Sequence, residues 1–378
     1  MLSAKTLDLS NHPSFDHHEQ VVHFEDESLG LQALIAVHNT NLGPALGGCR
    51  FFPYTSFDAA VTDVLRLSRG MTYKSALARL PLGGGKAVII GDPKTLKTPA
   101  IMERFGEAIE RLGGQYITAE DVGSNEQDMI AISRTTQHVA GLPPTEGESG
   151  IVTGNPSPVT AFGVYCGLKA AVAEKYGSPD LAGKTVAIQG LGAVGYVLAE
   201  YLASDGARLI VADVNQSSLE LARKAFGDRV SVVDTARIHA AEADIFSPCA
   251  LGAGLNDTTI PEIKAKVVAG AANNQLAEPS LHDQMLFERG ILYAPDYAIN
   301  AGGIISVGYE YYGRRKHTPY DHPLTAENMM RHVEKIGPTL LDIFAISRQK
   351  KVSTGQAADS LAEQVFRADS SPLSSSAA

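Results

Sequence analysis

This sequence of 378 residues has few cysteines, and it has neither a long apolar run nor an excess of positive charge. The three cysteines, Cys49, Cys166 and Cys249, are scattered and form no Cys-x-x-Cys pair, which argues against a disulfide framework and a zinc site. No apolar run approaches the ~20 residues of a membrane span, and the polar stretch 1–20 has no signal-peptide core. These absences predict a cytoplasmic protein in a reducing compartment, without membrane association.

Charge and length narrow the class of protein further. Acidic residues outnumber basic residues by 42 to 32, and the resulting net charge of −10 argues against a nucleic-acid surface and suits an enzyme of small molecules. The adjacent His17 and His18 have no acid or histidine at helical ligand spacing, so we expect them to face solvent rather than bind a metal. Because single cores stop growing at roughly 250–300 residues, the length predicts two domains.

Residues 184–213 carry the pattern of a dinucleotide-binding turn. An apolar strand runs into Gly190-Leu191-Gly192-Ala193-Val194-Gly195, a helix follows, and Asp213 ends the next strand at about the expected ~20-residue offset. Gly190 permits a tight turn, Gly192 lets a pyrophosphate approach the backbone, and Gly195 lets the helix pack on the strand. Asp213 would bind the ribose hydroxyls and repel a 2′-phosphate, which favours NAD over NADP. The alternative is a tight strand–helix turn that binds no ligand.

A lysine and a glycine-rich segment stand out upstream of this turn. Lys74 interrupts the apolar face of a helix predicted over 60–78, where its ammonium group either meets an anion or extends to water. Residues 42–50 read as a glycine-rich loop, which is either a plain turn or a substrate loop. Apolar runs at 21–24 and 31–37 predict a β-hairpin or neighbouring strands ahead of it.

A second lysine is followed by an acidic pair. Three glycines at 83–85 lead into a strand at 87–90 and remove side chains from around Lys86, so that a ligand can come close. Glu120 and Asp121 follow the next predicted strand, at the edge where open α/β sheets hold their ligands. An acid placed there could pair with Lys86 and pass protons, or it could cap the helix that follows.

Strands and helices alternate with short links after Asp213, which predicts a doubly wound, mainly parallel sheet. Loops at 248–252, 270–274 and 300–303 follow strands of this sheet and would lie on the cofactor rim. Within them, the side chains of Asn273 and Asn300 offer amide donors and acceptors suited to a nicotinamide carboxamide. The alternative is that each is only a loop asparagine.

Six motifs occur in the order in which the amino-acid dehydrogenases carry them. They are Leu42-Gly-Pro-Ala-Leu-Gly-Gly48, Gly70-Met-Thr-Tyr-Lys74, Gly83-Gly-Gly-Lys86, Thr118-Ala-Glu-Asp-Val-Gly123, Gly270-Ala-Ala-Asn-Asn274 and Pro295-Asp-Tyr-Ala-Ile-Asn-Ala-Gly-Gly303. On these motifs, over roughly 31–366, the chain resembles the family of glutamate, leucine, valine and phenylalanine dehydrogenases, and the leucine dehydrogenases in particular. The resemblance implies an NAD-dependent enzyme, usually oligomeric, that reversibly converts an L-amino acid into a 2-oxo acid and ammonia.

The same resemblance implies roles for individual residues. Lys74 would hold the substrate α-carboxylate, helped by Gly47, Gly48 and Met71. Lys86 would activate the water that attacks the imine carbon, and Asp121 would exchange protons with the substrate nitrogen. The expected cofactor contacts are Gly190, Gly192, Ala193, Val194, Gly195, Asp213, Thr160, Cys249, Ala250, Asn273 and Asn300.

Substrate preference is predicted from four apolar positions. The glutamate dehydrogenases carry a lysine where this sequence has Leu46 and a serine where it has Val307, so a distal carboxylate would stay unpaired here. Together with Ala119 and Ile304 these residues would line an aliphatic pocket for leucine, valine or isoleucine. Two alternatives remain: the same chemistry on phenylalanine or tryptophan, and an NAD-sensing regulatory protein that has lost turnover.

The expected architecture is an α/β protein of two domains with a cleft between them. Residues 1–148 would form a substrate, catalytic and oligomerisation domain, and 149–337 a Rossmann-type, doubly wound NAD-binding domain. A stretch rich in Pro, Gly and Ser at 141–158 reads as the linker. Helices within 338–378 would pack back on the first domain and end in a small, polar tail.

Overall fold

The computed structural model describes residues 1–143, 155–250, 252–315 and 317–367. Most of the predicted linker and the predicted tail at 370–378 lie outside the described residues, as do Leu251 and Lys316. The described chain forms two compact units. The first contains the residues up to 143 together with 307–324 and 362–367, and the second contains 155–306 and 325–361.

The first unit is built on a six-stranded mixed sheet. Its strands are β1 (Ser3–Thr6), β2 (Gln20–Asp26), β3 (Leu31–Asn39), β4 (Ala45–Phe52), β5 (Gly83–Ile90) and β6 (Tyr116–Glu120), and its first helices are α1 (Phe57–Leu77), α2 (Pro99–Glu110) and α3 (Glu126–Ser133). The strand order is β1-β2-β3-β5-β4-β6. The pairs from β1 to β5 are antiparallel, whereas β4 is parallel to both β5 and β6.

Local sequence signals explain most of these elements. The predicted hairpin is confirmed, because β2 and β3 pair in antiparallel register. Helix α1 begins where the Ser56 hydroxyl accepts a hydrogen bond from Ala59 N at 3.0 Å, as an N-cap residue does. Its apolar face buries Val64 and Leu65 in a cluster with residues of β3 and β5.

Two glycine-rich segments differ from the prediction. Residues 42–50 were expected as a loop, but β4 starts at Ala45 and includes both Gly47 and Gly48. The glycines at 83–85 were expected to precede a strand, but β5 starts at Gly83. Close packing is the physical reason, since a Cβ on Gly47 would lie 1.8 Å from the carbonyl oxygen of Gly85 on the neighbouring strand.

The expectation that His17 and His18 face solvent holds for only one of them. His17 is exposed, whereas His18 is buried and its Nε2 lies 3.0 Å from both the Leu65 carbonyl oxygen and the Ser68 hydroxyl. The ring of His18 also contacts the buried ring of His38, with their centroids 4.7 Å apart. Helix α1 supplies these polar partners, and a solvent-facing position is therefore wrong for His18.

The second unit contains a six-stranded sheet that is parallel throughout its described pairs. Its strands are β7 (Thr185–Gln189), β8 (Arg208–Ala212), β9 (Val230–Val232), β10 (Ile245–Pro248), β11 (Val267–Val268) and β12 (Leu292–Tyr293), and helices α4 (Ser157–Tyr176), α5 (Ala193–Ser204), α6 (Gln216–Phe226), α7 (Pro279–Glu288) and α8 (Asp296–Ile299) connect or flank them. The order β12-β11-β10-β7-β8-β9 is that of dinucleotide-binding sheets. The doubly wound parallel sheet that the sequence predicted is confirmed.

The C-terminal helices divide between the units differently from the boundaries expected at 148 and 337. They are α9 (Gly302–Gly313), α10 (Ala326–Glu334), α11 (Ile336–Lys350) and α12 (Thr354–Phe366). Residues 307–324 belong to the first unit, where the Tyr312 hydroxyl donates to the Pro81 carbonyl oxygen at 3.1 Å. Helix α11 belongs to the second unit, because Leu340 packs against the bare backbone of α4 at Gly167.

Among the described residues, no helix is both long enough and apolar enough to cross a membrane.

Candidate functional site

An ion pair between a buried lysine and a half-buried aspartate forms on the first unit. Lys86 lies inside β5 with only 6% of its surface exposed, and its Nζ is 2.8 Å from Asp121 Oδ2. Asp121 follows the end of β6, and β4 lies between these two strands. Gly48 of β4 lets the end of β6 come close, since a Cβ on Gly48 would lie 2.4 Å from the Glu120 carbonyl oxygen and 2.9 Å from the Cβ of Asp121.

Asp121 has a second cationic partner. The Nε of Arg50 lies 3.1 Å from the same Oδ2 atom that contacts Lys86. Burial by itself raises the pKa of Asp121, but the charges of Lys86 and Arg50 outweigh it and hold that pKa below its ordinary value. The alternative that Asp121 caps the following helix does not apply, because Asn125 is the N-cap residue of α3 and accepts a hydrogen bond from Asp128 N.

The helix turn that carries Lys74 packs on the glycine-bearing strands. Thr72 fills the space beside Gly84, where a Cβ would lie 2.0 Å from Thr72 N, and Met71 Cγ comes within 3.4 Å of the corresponding point on Gly47. Lys74 itself is half-buried at the C-terminal end of α1. The predicted carboxylate-binding residues Gly47, Met71 and Lys74 thus belong to adjoining parts of one unit.

The four residues predicted to choose the substrate side chain are distributed over both units. Leu46 is fully buried in β4, whereas Ala119 in β6 and Val307 in α9 are half-buried. These three lie in the first unit. Ile304 is buried in the part of α9 that belongs to the second unit. All four are apolar, which is the property that the expected aliphatic pocket requires.

The glycine-rich turn of the second unit has the geometry of a phosphate site. Gly190 adopts a φ of +96°, and a Cβ on Gly195 would lie 2.1 Å from the Gly190 carbonyl oxygen. Gly192 is the N-cap residue of α5, no side chain caps this helix, and a Cβ on Gly192 would meet open space. Ala193 and Val194 form the first positions of α5, so their amides are available to an anion.

Asp213 is linked to that turn by hydrogen bonds. Its Oδ2 accepts from Leu191 N at 2.6 Å, and its Oδ1 accepts from Asn215 N at 2.7 Å. A carboxylate has about four acceptor sites, so two remain for ribose hydroxyls. The half-buried negative charge beside the turn disfavours a further phosphate on the ribose.

Two other predicted cofactor residues, Cys249 and Ala250, border the turn, and Thr160 lies beside the first residues of α9. The Cβ atoms of Cys249 and Ala250 lie 3.2 Å and 3.0 Å from the points where side chains on Gly195 and Gly190 would begin. Thr160 lies in the first turn of α4, and its Oγ1 is 3.0 Å from the corresponding point on Gly303.

Asn300 carries an unused acceptor. Its Nδ2 donates to the Ala271 carbonyl oxygen at 3.1 Å and to Asn273 Oδ1 at 2.8 Å. Its Oδ1 is buried and has no hydrogen-bond partner within the described chain. A carboxamide NH₂ would satisfy this atom, and a buried polar atom without a partner is costly. The free acceptor on Asn300, the uncapped N-terminus of α5 and the carboxylate of Asp213 together fit NAD.

Several contacts of the site could not be read from sequence patterns. Arg50 is the main one, because only the pairing of β4 with β6 brings it to Asp121. The buried Tyr116 hydroxyl donates to the Gly47 carbonyl oxygen at 2.6 Å, and the Ser124 hydroxyl donates to the Cys49 carbonyl oxygen at 2.8 Å. Both hold the backbone of β4 in place. Within the described residues, no group of three or more His, Cys, Asp and Glu side chains has the arrangement of a metal site.

Comparison with known proteins agrees with this geometry. Residues 18–138 match the Glu/Leu/Phe/Val dehydrogenase dimerisation domain, and residues 208–368 match the glutamate/leucine/phenylalanine/valine dehydrogenase domain. The chain is 48% identical to a leucine dehydrogenase of Bacillus cereus over 95% of its own length and 93% of that protein. It is 46% identical to a phenylalanine dehydrogenase of Bacillus thermotolerans, over 93% of its own length and 89% of that protein.

A solved structure is similar over most of the chain. The L-tryptophan dehydrogenase of Nostoc punctiforme superposes with a TM-score of 0.81 at 41% identity, covering 93% of this chain and 96% of that one. The predicted α/β fold with a dinucleotide-binding sheet is therefore confirmed. The chain belongs to the glutamate/leucine/phenylalanine/valine dehydrogenase family and is an NAD-dependent amino-acid dehydrogenase.

Proposed function

We propose that the protein catalyses the reversible oxidative deamination of a branched-chain aliphatic L-amino acid to its 2-oxo acid and ammonia. The observation that carries this proposal is the contact of 2.8 Å between the buried Lys86 and the half-buried Asp121, beside the side-chain-free backbone of Gly48. The reaction needs a base for water and a group that exchanges protons with nitrogen, and this pair can supply both.

The residues of the first unit divide the work as follows. Lys74 binds the α-carboxylate, with the backbone of Gly47 and Gly48 beside it. Lys86 in its neutral form removes a proton from the water that attacks the imine carbon. Asp121 takes a proton from the amino group as the imine forms, and returns one to the departing ammonia.

The second unit contributes the cofactor site. Bound NAD supplies a hydride acceptor for the substrate Cα. The amides at the start of α5 would hold the pyrophosphate, Asp213 would hold the ribose hydroxyls, and the Oδ1 of Asn300 would accept a hydrogen bond from the carboxamide.

The branched-chain preference rests on the apolar character of Leu46, Ala119, Ile304 and Val307. None of these side chains can pair with a distal carboxylate, which counts against glutamate as substrate. An aliphatic side chain of moderate size would match them. Phenylalanine or tryptophan is the second candidate, and the similarity to a phenylalanine and a tryptophan dehydrogenase favours it.

The decisive experiment measures NADH formation by the purified protein with leucine, isoleucine, valine, phenylalanine, tryptophan and glutamate, each with NAD. We expect the largest kcat/KM among leucine, isoleucine and valine. A larger value for phenylalanine or tryptophan would replace the aliphatic assignment by the aromatic one. Binding of NAD without turnover of any amino acid would instead indicate a regulatory protein that senses NAD.

Two further expectations belong to this proposal. Residues 18–138 match a dimerisation domain, which supports a homo-oligomer. Sedimentation of the full-length protein at several concentrations tests this, and a monomer throughout would contradict it.

We also propose a cytoplasmic role in branched-chain amino-acid catabolism. Cell fractionation would test the location, and growth on leucine after deletion of the gene would test the role in catabolism.

A further inference from the structure

Arg50 connects the Lys86–Asp121 pair to a second carboxylate. Its Nε contacts Asp121 Oδ2 at 3.1 Å, and its Nη1 contacts Asp63 Oδ2 at 2.9 Å. The Tyr54 hydroxyl donates to the same Asp63 oxygen at 2.5 Å. The Arg50 side chain is 20% exposed, so it is shielded from most of the solvent that would weaken these interactions. Its guanidinium group is therefore held at two edges at once.

The titratable groups around Asp121 belong to three strands. Lys86 approaches from β5, Arg50 and Cys49 belong to β4, and Tyr116 belongs to β6. Burial raises the pKa values of both Cys49 and Tyr116 above their ordinary range, so these two groups stay neutral near neutral pH. Lys86 and Arg50 are thus the cations in contact with this carboxylate.

These two cations differ in a way that matters for the reaction. Lys86 must lose its proton to act as a base, and at that moment its charge no longer compensates Asp121. Arginine stays protonated at all ordinary pH values. An Arg50 bound to the same Oδ2 atom therefore still compensates the half-buried carboxylate when Lys86 is neutral.

On the basis of the proposed function, we infer that Arg50 is a positioning residue of the deamination reaction. It holds the Asp121 carboxyl group in position towards the substrate nitrogen, and it supplies a counter-charge to the ionised carboxylate while Lys86 changes its protonation state. Asp63 and Tyr54 hold the opposite edge of the guanidinium group and prevent its rotation away from Asp121. Arg50 would therefore influence the reaction only through Asp121, because its guanidinium group contacts Asp121 at one edge and Asp63 at the other.

A surface cavity makes this role testable by chemical rescue. It has a volume of about 550 Å³ and is lined by residues that include Arg50, Tyr54, Asp63, Arg66 and Val122. A small guanidinium ion can therefore reach the space left by truncation of Arg50 from outside the protein. Both carboxylates that would bind such an ion remain in place in the truncated protein.

The experiment compares Arg50→Ala with the wild type on the amino acid that the wild type uses best. We expect kcat to fall about tenfold near neutral pH, the acid limb of the kcat profile to move up by about one pH unit, and KM to stay within about twofold. Millimolar methylguanidinium should restore part of kcat with saturation, whereas tetramethylammonium, which has no N–H donors, should not. Arg134→Ala, which removes an exposed partner of Glu103, is the matched control.

Arg50→Lys separates charge from orientation and serves if Arg50→Ala does not fold. A lysine keeps the positive charge but cannot contact Asp121 and Asp63 through two fixed edges. We expect an acid limb close to that of the wild type with a lowered kcat and an unchanged KM. A kcat and a pH profile equal to those of the wild type in the folded variants would overturn the inference. A wild type without turnover would instead overturn the proposed function.

Discussion

Lys86 and Asp121, the two residues proposed to carry out the proton transfers, are in direct contact on the first unit. Arg50 contacts the same oxygen of Asp121, so three charged side chains meet at one carboxyl group. Each of them has a separate task in the proposed reaction, as base, as proton carrier and as fixed counter-charge. Substitution of one therefore leaves the other two in place, and the defects should differ in kind.

Replacing Lys86 with alanine should abolish turnover and leave NAD binding unchanged, because the proposed base is lost while the residues of the proposed cofactor site belong to the other unit. Assays of NADH formation would measure turnover, and fluorescence titration with NADH would measure cofactor binding. Lys169→Ala is a suitable control, since Lys169 also pairs with an aspartate, at 2.9 Å from Asp205 Oδ2, but in the second unit. A retained kcat in the Lys86 variant would exclude this lysine as the base.

Replacing Asp213 with alanine should reduce the preference for NAD over NADP. The variant loses the proposed acceptor for the ribose hydroxyls and a negative charge that would repel a 2′-phosphate, and a hydrogen bond to a charged group is worth about 1.5–3 kcal/mol. The ratio of kcat/KM values for the two cofactors should therefore fall by about tenfold or more. Asp228→Ala, at an exposed position of the same unit, should leave that ratio unchanged. An unaltered ratio in Asp213→Ala would count against its assignment.

At the scale of elements, glycines let strands and helix approach one another at the site. β4 carries Gly47 and Gly48, and β5 begins with three glycines. At these positions no side chain of either strand separates the strand from α1. The close approach of Gly84 to Thr72 shows how little space remains, since a Cβ there would also lie 2.2 Å from Thr72 Oγ1. The close approach of these backbones is thus a structural requirement of this site, and a side chain added at one of these glycines should lower the free energy of unfolding.

Gly84→Ala should destabilise the protein by about 1–3 kcal/mol, because an added methyl group overpacks the contact with α1. Gly70→Ala provides a matched control on α1 itself, since nothing lies within 4 Å of its added Cβ. The control should be neutral or more stable by about 0.5–1 kcal/mol, because alanine favours a helix over glycine. Urea unfolding of both variants gives the comparison, and equal stabilities would refute the packing argument.

At the scale of the whole molecule, buried histidines link folding stability to pH. Burial, followed by the charge of the neighbouring His18, lowers the pKa of His38 to about 3. Burial also lowers the pKa of His18. In the unfolded chain such groups bind a proton below about pH 6.5, whereas the folded protein resists protonation. The unfolded state therefore binds more protons, and the free energy of unfolding must fall as pH decreases through this window.

We expect His38→Gln to flatten the loss of stability between about pH 6.5 and pH 4, because the amide can still bond Thr72 but does not titrate in this range. His17→Gln, at the exposed neighbour of His18, should leave the slope unchanged. Thermal or urea unfolding at a series of pH values would measure both slopes. A slope in His38→Gln as steep as that of the wild type would show that other groups cause the acid sensitivity.

The sequence alone determined the features that depend on neighbouring residues. Periodicity and glycine spacing predicted the strand, turn and helix from Thr185 to Asp213, and the order of six motifs predicted the family. Tertiary structure decided what depends on distant residues. The contact between Arg50 and Asp121 joins positions 71 residues apart, and the glycines at 83–85 became a strand because β3 and β4 flank them. Residues 307–324 likewise joined the first unit through packing near Pro81. Local patterns record the preferences of a segment, but they do not record which distant surface it will pack against.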